Sequence, residues 1–465
     1  MKTRHMKTRH ILISIVLAPF LLVACATVQP PEAEETLANA LPSTTEIPTE
    51  FQTDEVDSGE VDDGWIATFG DAQLDALVEE AITNNLNLRA AASQVDRAAG
   101  LARLAGASLK PMVGLGGGNS ETFSDKDLLS GNSYNAALTM SWEVDVWGKL
   151  RQRVAAGEAS LAATTADFEF ARQSIAATTA KTWFLATEIA QQLRLAEESV
   201  DIFSEVLEIV TTKERVGQVT MQDVYLTGAD LSSAEESVQQ ATAARDSILR
   251  GLEVLLGRYP GADIETASEQ LPLPPAIPVG VPSDLVSRRP DLQAAEARVR
   301  AAFFLTEEAR LAKLPSFDLS ISAGYTSLTD FIGKLSAGIV APLYTGGALE
   351  GQLEIATADQ MAAIAVYGQS VLTAFLEVEN ALANERIFTR RLALLEKVVD
   401  DNQRAYQLAA KQYEVGRTEV LNVLQIQGRV LAARSALIRI QSERLATRID
   451  LHLALGGSFK VSEGQ

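Results

Sequence analysis

Nucleophilic and metal chemistry needs residue types that this chain almost lacks. Its 465 residues include three histidines, His5, His10 and His452, and one cysteine, Cys25. A His/Cys zinc site has too few donors. A CxxC redox pair or an intrachain disulfide lacks its second cysteine. A Ser-His-Asp arrangement would have to be built round His452, and neither a GxSxG elbow nor an HExxH helix occurs. Carboxylates are plentiful, with 61 Asp and Glu against 40 Lys and Arg and a net charge of -21. No spacing isolates two of them as an acid/base pair, and the acidic balance disfavours nucleic acid. The composition leans away from an enzyme.

Cys25 is the one residue with an evident covalent fate. Lys2, Arg4, Lys7 and Arg9 precede the apolar run ILISIVLAPFLLVA. That run is too short to span about 30 Å of hydrocarbon and has the order of a secretory signal. Leu22-Val23-Ala24 leads into Cys25, which resembles the lipobox of bacterial lipoproteins. The resemblance implies cleavage after residue 24, acylation of Cys25 and, with Ala26 rather than aspartate next, the outer membrane of a Gram-negative cell. Residues 25–64, rich in Pro, Thr, Glu and Asp, read as the lipidated tether.

The elements that follow form two halves on one plan. NLRAAASQV at 87–95 aligns with DLQAAEARV at 291–299, and Pro111 aligns with Pro315. RVGQVTMQDVYL at 215–226 aligns with EVGRTEVLNVLQ at 414–425, pairing Gly217 with Gly416. The expected divisions are a first repeat over 65–270, a Pro-rich connector over 271–290, a second repeat over 291–456 and a tail over 457–465. No proline falls between Pro111 and Pro260 or after Pro342. That permits helices over 149–216 and 349–415, each about 100 Å long at roughly 1.5 Å per residue. Returning helices near 219–257 and 419–455 would complete two antiparallel coiled-coil hairpins.

Ahead of each long helix lies a non-helical stretch. In 317–324, Phe317, Leu319, Ile321 and Ala323 alternate with Asp318, Ser320, Ser322 and Gly324. Period two over about ten residues suits a tilted membrane β-strand. Hairpins over 112–142 and 317–340 give four strands per chain. Four cannot close a barrel, and an open edge is not tolerated in lipid, so several chains must pool strands. A dimer gives eight and a trimer twelve.

Together these features resemble the outer membrane factors of tripartite efflux systems, the TolC-like and OprM-like proteins and their NodT-type lipoproteins. The motifs behind the resemblance are the lipobox, WEVDVWGKL at 142–150, VPSDLVSRRPDLQAAE at 281–296 and YEVGRTEVLNVL at 413–424. The resemblance implies a homotrimer with a 12-stranded membrane β-barrel continued by an all-α periplasmic tunnel. It implies no catalytic centre and no cofactor. Its partners would be outer membrane lipid, a periplasmic adaptor and an inner-membrane pump supplying energy for drugs, toxic compounds or metabolites. Gly217, Gln218, Thr220, Gly416, Arg417 and Thr418 would form the tips where the adaptor docks. Asp223, Arg417, Asn422 and Gln425 are the candidates for the pore constriction. Some relatives place two aspartates at the positions of Asn422 and Gln425, so this mouth lacks that charge, and Asp223 is the alternative source of negative field. Trp142, Asp145, Trp147 and Gly148 mark a strand-to-helix junction, where packing and capping suffice to explain them. The alternative reading is a lipid-anchored periplasmic adaptor or scaffold without a pore.

Overall fold

The computed structural model describes residues 29–49, 51–52, 63–122, 131–267, 269, 271–275, 277–278, 282–326 and 330–459. The signal segment, Cys25 and the two hairpin loops lie outside these residues. Helices in chain order are α1 (Ala33–Ala40), α2 (Ala72–Asn84), α3 (Leu86–Ala107), α4 (Lys149–Arg215), α5 (Met221–Leu255), α6 (Pro282–Arg288), α7 (Pro290–Leu311), α8 (Ala348–Glu414) and α9 (Val420–Ala454). The strands are β1 (Met112–Thr122), β2 (Gly131–Glu143), β3 (Ser316–Thr326) and β4 (Asp330–Val340). The halves match closely: α4 and α8 are each 67 residues long, and α5 and α9 are each 35.

The chain folds into two compact units, and each draws on both halves. One lies within Met1–Thr45, Ser93–Asp167 and Asp291–Ser370. It contains a four-stranded antiparallel sheet in the order β1-β2-β3-β4. The central pairing sets Trp142 opposite Leu319, Leu138 opposite Ala323 and Ala136 opposite Tyr325. Because side chains alternate with period two, this register puts the alternating Phe317, Leu319, Ile321 and Ala323 on the same face as Leu138 and Trp142. The edge strands β1 and β4 each have one partner, so the outer rim of each carries backbone groups not paired within the sheet.

The same unit holds α1, in the segment read from its composition as a plain tether. Its Thr36 is buried, and the Ala40 carbonyl lies so close to Gly368 of α8 that a Cβ there would collide with it. The seat was not legible from composition, because the signal is one missing side chain more than 300 residues away.

The second unit lies within Glu46–Ala92, Phe168–Pro290 and Val371–Gln465. Its core packs Trp65, Phe69, Leu74 and Leu77 against Ala176, Ala180, Trp183 and Phe184 of α4, with Leu249, Leu252, Leu445 and Ile449 from the returning helices. The small alanines let the helix backbones approach closely. Asp71 caps α2 through the Gln73 and Leu74 amides at 2.9 and 3.2 Å, and it accepts from Trp183 Nε1 at 2.8 Å. Arg448, buried in α9, holds the connector through the Pro274 and Pro275 carbonyls and pairs with Glu385. Arg289 pairs with Glu377 at 2.7 Å. The two guanidiniums thus hold the Pro-rich connector on either side of α6.

α8 includes a stretch long and apolar enough to cross a membrane by composition. Its Tyr367, Val371, Ala374 and Val378 are fully buried at spacings of four, three and four. That is a helix-packing seam. The alternating sheet supplies the face suited to lipid.

Candidate functional site

The sheet presents two chemically opposite surfaces. Val113, Leu115, Tyr134, Leu138, Ile321, Tyr325, Phe331, Leu335 and Ile339 share one face, and every one of them is exposed in the single chain. The opposite face carries Gly114, Ser133, Thr139, Asp318, Ser320, Ser322, Lys334 and Ser336, with Met112, Ile332 and Val340 as its large apolar exceptions. Leaving so many large apolar side chains in water is unfavourable by about 25 cal/mol per Å², so the first face requires an apolar medium. Aromatic residues bound it at both ends. Phe317 lies near the helical end and Tyr325, paired with Phe331, near the other. Eight residues separate Phe317 from Tyr325, about 27 Å along the strand at roughly 3.4 Å per residue and about 21 Å along the membrane normal at a tilt of about 40°, comparable with the roughly 25 Å apolar band of an outer-membrane barrel.

The junction from β2 into α4 explains WEVDVWGKL. Trp142 Nε1 donates to Leu109 O at 3.1 Å, and Trp147 Nε1 donates to Pro315 O at 2.7 Å. Asp145 accepts from the Leu150 and Arg151 amides, both at 3.0 Å, closing the first turn of α4. Gly148 has φ +87°, which disfavours any side chain there. All four residues thus pack or cap in this structure.

The tips of the long hairpins are built from one device used twice. Gln218 N–H donates to Lys213 O at 2.9 Å and Gly217 N–H to Glu214 O at 2.8 Å. Arg417 N–H donates to Gln412 O at 2.8 Å and Gly416 N–H to Tyr413 O at 3.1 Å. This pair of bonds is the Schellman end, and it needs the left-handed backbone that Gly217 and Gly416 supply at φ +74° and +71°. The returning helices begin differently. Asp223 accepts from the Thr220 amide and hydroxyl, each at 2.8 Å, so its carboxylate is engaged at the start of α5. Asn422 Nδ2 donates to Thr418 Oγ1 at 3.2 Å. Arg417, Asn422 and Gln425 are exposed.

One contact at this level joins the two hairpins and was missed in the sequence. Lys213 Nζ lies 3.6 Å from the Tyr413 ring centroid, a cation–π contact of about 0.5–2 kcal/mol. Burial pushes the Tyr413 phenol pKa up, and the charge of Asp223 adds to the shift. Tyr413 also joins an apolar cluster with Val210, Val219, Val224, Val420 and Leu424. A lysine and a tyrosine 200 residues apart give no local signal.

His452, the one histidine available for a relay, is buried and stacked on Trp65 at 5.4 Å. Its Nδ1 has no hydrogen-bond partner among the described residues. No serine or carboxylate among them completes a triad around it. Nor is any group of His, Cys, Asp and Glu among the described residues placed to hold a metal.

A sheet that is apolar on one face and polar on the other, in a chain with two long helical hairpins, defines a channel-forming outer-membrane protein of the TolC-like fold. The chain belongs to the outer membrane efflux protein family, whose signature matches residues 77–258 and 281–457. It is 30% identical to the pyoverdine export outer membrane protein OpmQ of Pseudomonas putida, over 95% of this chain and 96% of that one. It is 29% identical to the toluene efflux pump outer membrane protein TtgC of another strain of P. putida, over 98% and 97%. Among solved structures, the outer-membrane channel OprN superposes with a TM-score of 0.82 at 24% identity, covering 90% of this chain and 99% of that one. VceC of Vibrio cholerae gives 0.80 at 25%, covering 86% and 100%. The protein is thus the outer membrane channel component of an efflux pump, which sets aside the pore-free adaptor reading.

Proposed function

We propose that three copies of this chain close one twelve-stranded barrel and act as a passive exit duct. The observation that supports this most directly is the sheet, with one membrane-ready face and an open strand at each edge. An inner-membrane pump supplies the energy, and a periplasmic adaptor docks on the tips around Gly217, Gln218, Thr220, Gly416, Arg417 and Thr418. Arg417, Asn422 and Gln425 line the constriction at the tunnel mouth, and their exposure supports that placement. Asp223 acts there chiefly as a helix cap. The duct catalyses nothing, and Cys25 bears the lipid anchor. Relatives are named for pyoverdine, toluene and antibiotic export, and we assign this duct the same broad class of small organic cargo, with selectivity residing in the pump. The test is conductance of the purified oligomer in planar bilayers, together with recovery of an adaptor and pump on cross-linking in cells. Absence of ion conductance from a well-assembled oligomer would refute the duct.

A further inference from the structure

The two strand-to-helix junctions are built alike but covered differently. After β2 the chain turns into α4 beneath the start of β3. Val144 N–H donates to Phe317 O at 2.8 Å, and the Trp147 ring lies 6.1 Å from that of Phe317. After β4 the chain makes the corresponding turn into α8, through Gly346 and Gly347 at φ +63° and +88°. Among the described residues no further strand follows β4 in the sheet to cover this turn. Leu343 and Tyr344 are 94% and 92% exposed, side by side at the open edge. An apolar pair projecting beside unpaired strand backbone is a surface for another chain.

The internal repeat identifies that chain and its register. β1 and β3 begin at Met112 and Ser316, an offset of 204, and α4 and α8 begin at Lys149 and Ala348, an offset of 199. Carried through these offsets, the contact of Val144 with Phe317 becomes a contact of Leu343 with Val113. Within one chain Val113 is on β1, at the opposite edge of the sheet, so the contact must be made to a second copy. This register is consistent with the faces of the sheet. It keeps the odd-numbered residues of β4 and β1 on one face and sets Leu343 opposite Val113 and Ala341 opposite Leu115, whereas a slip of one residue would turn the two faces against each other. Met112 and Val113 are themselves 72% and 60% exposed.

We propose that Leu343 and Tyr344 form an intersubunit anchor seated on Pro111–Val113 of a second copy, with Leu343 directly opposite Val113. The proposal rests on the ring closure described above and adds its register and its anchoring residues. The test is the full chain carrying Val113→Cys with Leu343→Cys, treated in native membranes with a short bis-maleimide and run on a denaturing gel. The double variant should give dimer and trimer bands that neither single variant gives. Val144→Cys with Phe317→Cys should react within one chain and give no ladder. If the double variant assembles an intact oligomer but gives no ladder, the register is wrong while closure stands. If no oligomer forms even in the unmodified protein, closure itself fails and the anchor with it. Leu343→Ser with Tyr344→Ser should lower the temperature at which the oligomer dissociates in dodecyl sulfate, and an unchanged temperature would remove the anchor.

Discussion

Adjacent residues on β2 should respond in opposite ways to the same substitution. Leu138 stands on the apolar face, opposite Leu115 on one side and Ala323 on the other. It is four residues from Tyr134 and four from Trp142, hence about 13 Å from each end of the aromatic-bounded band and close to its middle. An arginine at that depth of a membrane barrel costs about 2–4 kcal/mol per copy, so three copies would lose roughly 6–12 kcal/mol. Thr139 faces the other way, between Gly114 and Ser322. An arginine there enters the aqueous lumen among small polar residues and carries no comparable penalty. The assay is guanidinium unfolding of the oligomer reconstituted in lipid, read beside the yield of dodecyl-sulfate-resistant oligomer. Leu138→Arg should abolish or strongly reduce both, while Thr139→Arg should assemble near normally and change conductance. Equal loss in the two variants, or loss only in Thr139→Arg, would refute the assignment of the faces.

The tip, the lipid anchor and the buried histidine give further tests. Arg417→Ala should raise single-channel conductance, and Asn422→Asp, adding three carboxylates to one ring, should strengthen cation selectivity and trivalent-metal block; if both variants behave as the parent, residues 413–425 do not line the constriction. Cys25→Ser should abolish incorporation of labelled fatty acid, and retained label would remove the lipobox reading. Burial and the neighbouring Arg448 push the His452 pKa down from 6.5 to about 3. Between those values the unfolded chain binds a proton that the folded chain does not. Stability is therefore lost as pH falls through that window, by at most about 1.4 kcal/mol per pH unit from this group. His452→Phe, which keeps a ring on Trp65, should flatten the urea midpoint against pH between 6.5 and 5, above the ordinary carboxylate range; an unaltered slope would show that His452 is not buried as a neutral imidazole.

Much of the fold was legible because it is written in periodicity. Helix formers without proline run through α4 and α8, and the alternation from Phe317 to Ala323 marks β3 before any pairing is known. Gly217 and Gly416 stood out because they recur at equivalent places in the repeat, and each supplies the positive φ that ends a long helix. Legibility stopped where a residue's partner is distant and carries no matching pattern. Lys213 over Tyr413, Ala40 against Gly368 and Arg448 on the Pro274 and Pro275 carbonyls are all of this kind. Asp223 is ambiguous in sequence for a different reason. A carboxylate at a pore mouth and a carboxylate in a capping pair look identical in sequence, and the capping role shows only in the Thr220 bonds.

The central claim is that one chain cannot make the pore and three can. Native mass spectrometry of the protein released from mild detergent, on the same preparation that conducts in planar bilayers, tests it most directly. A particle of three copies is expected, with conductance lost when the particle is dissociated. A single chain, or a pair, that still conducts would contradict it.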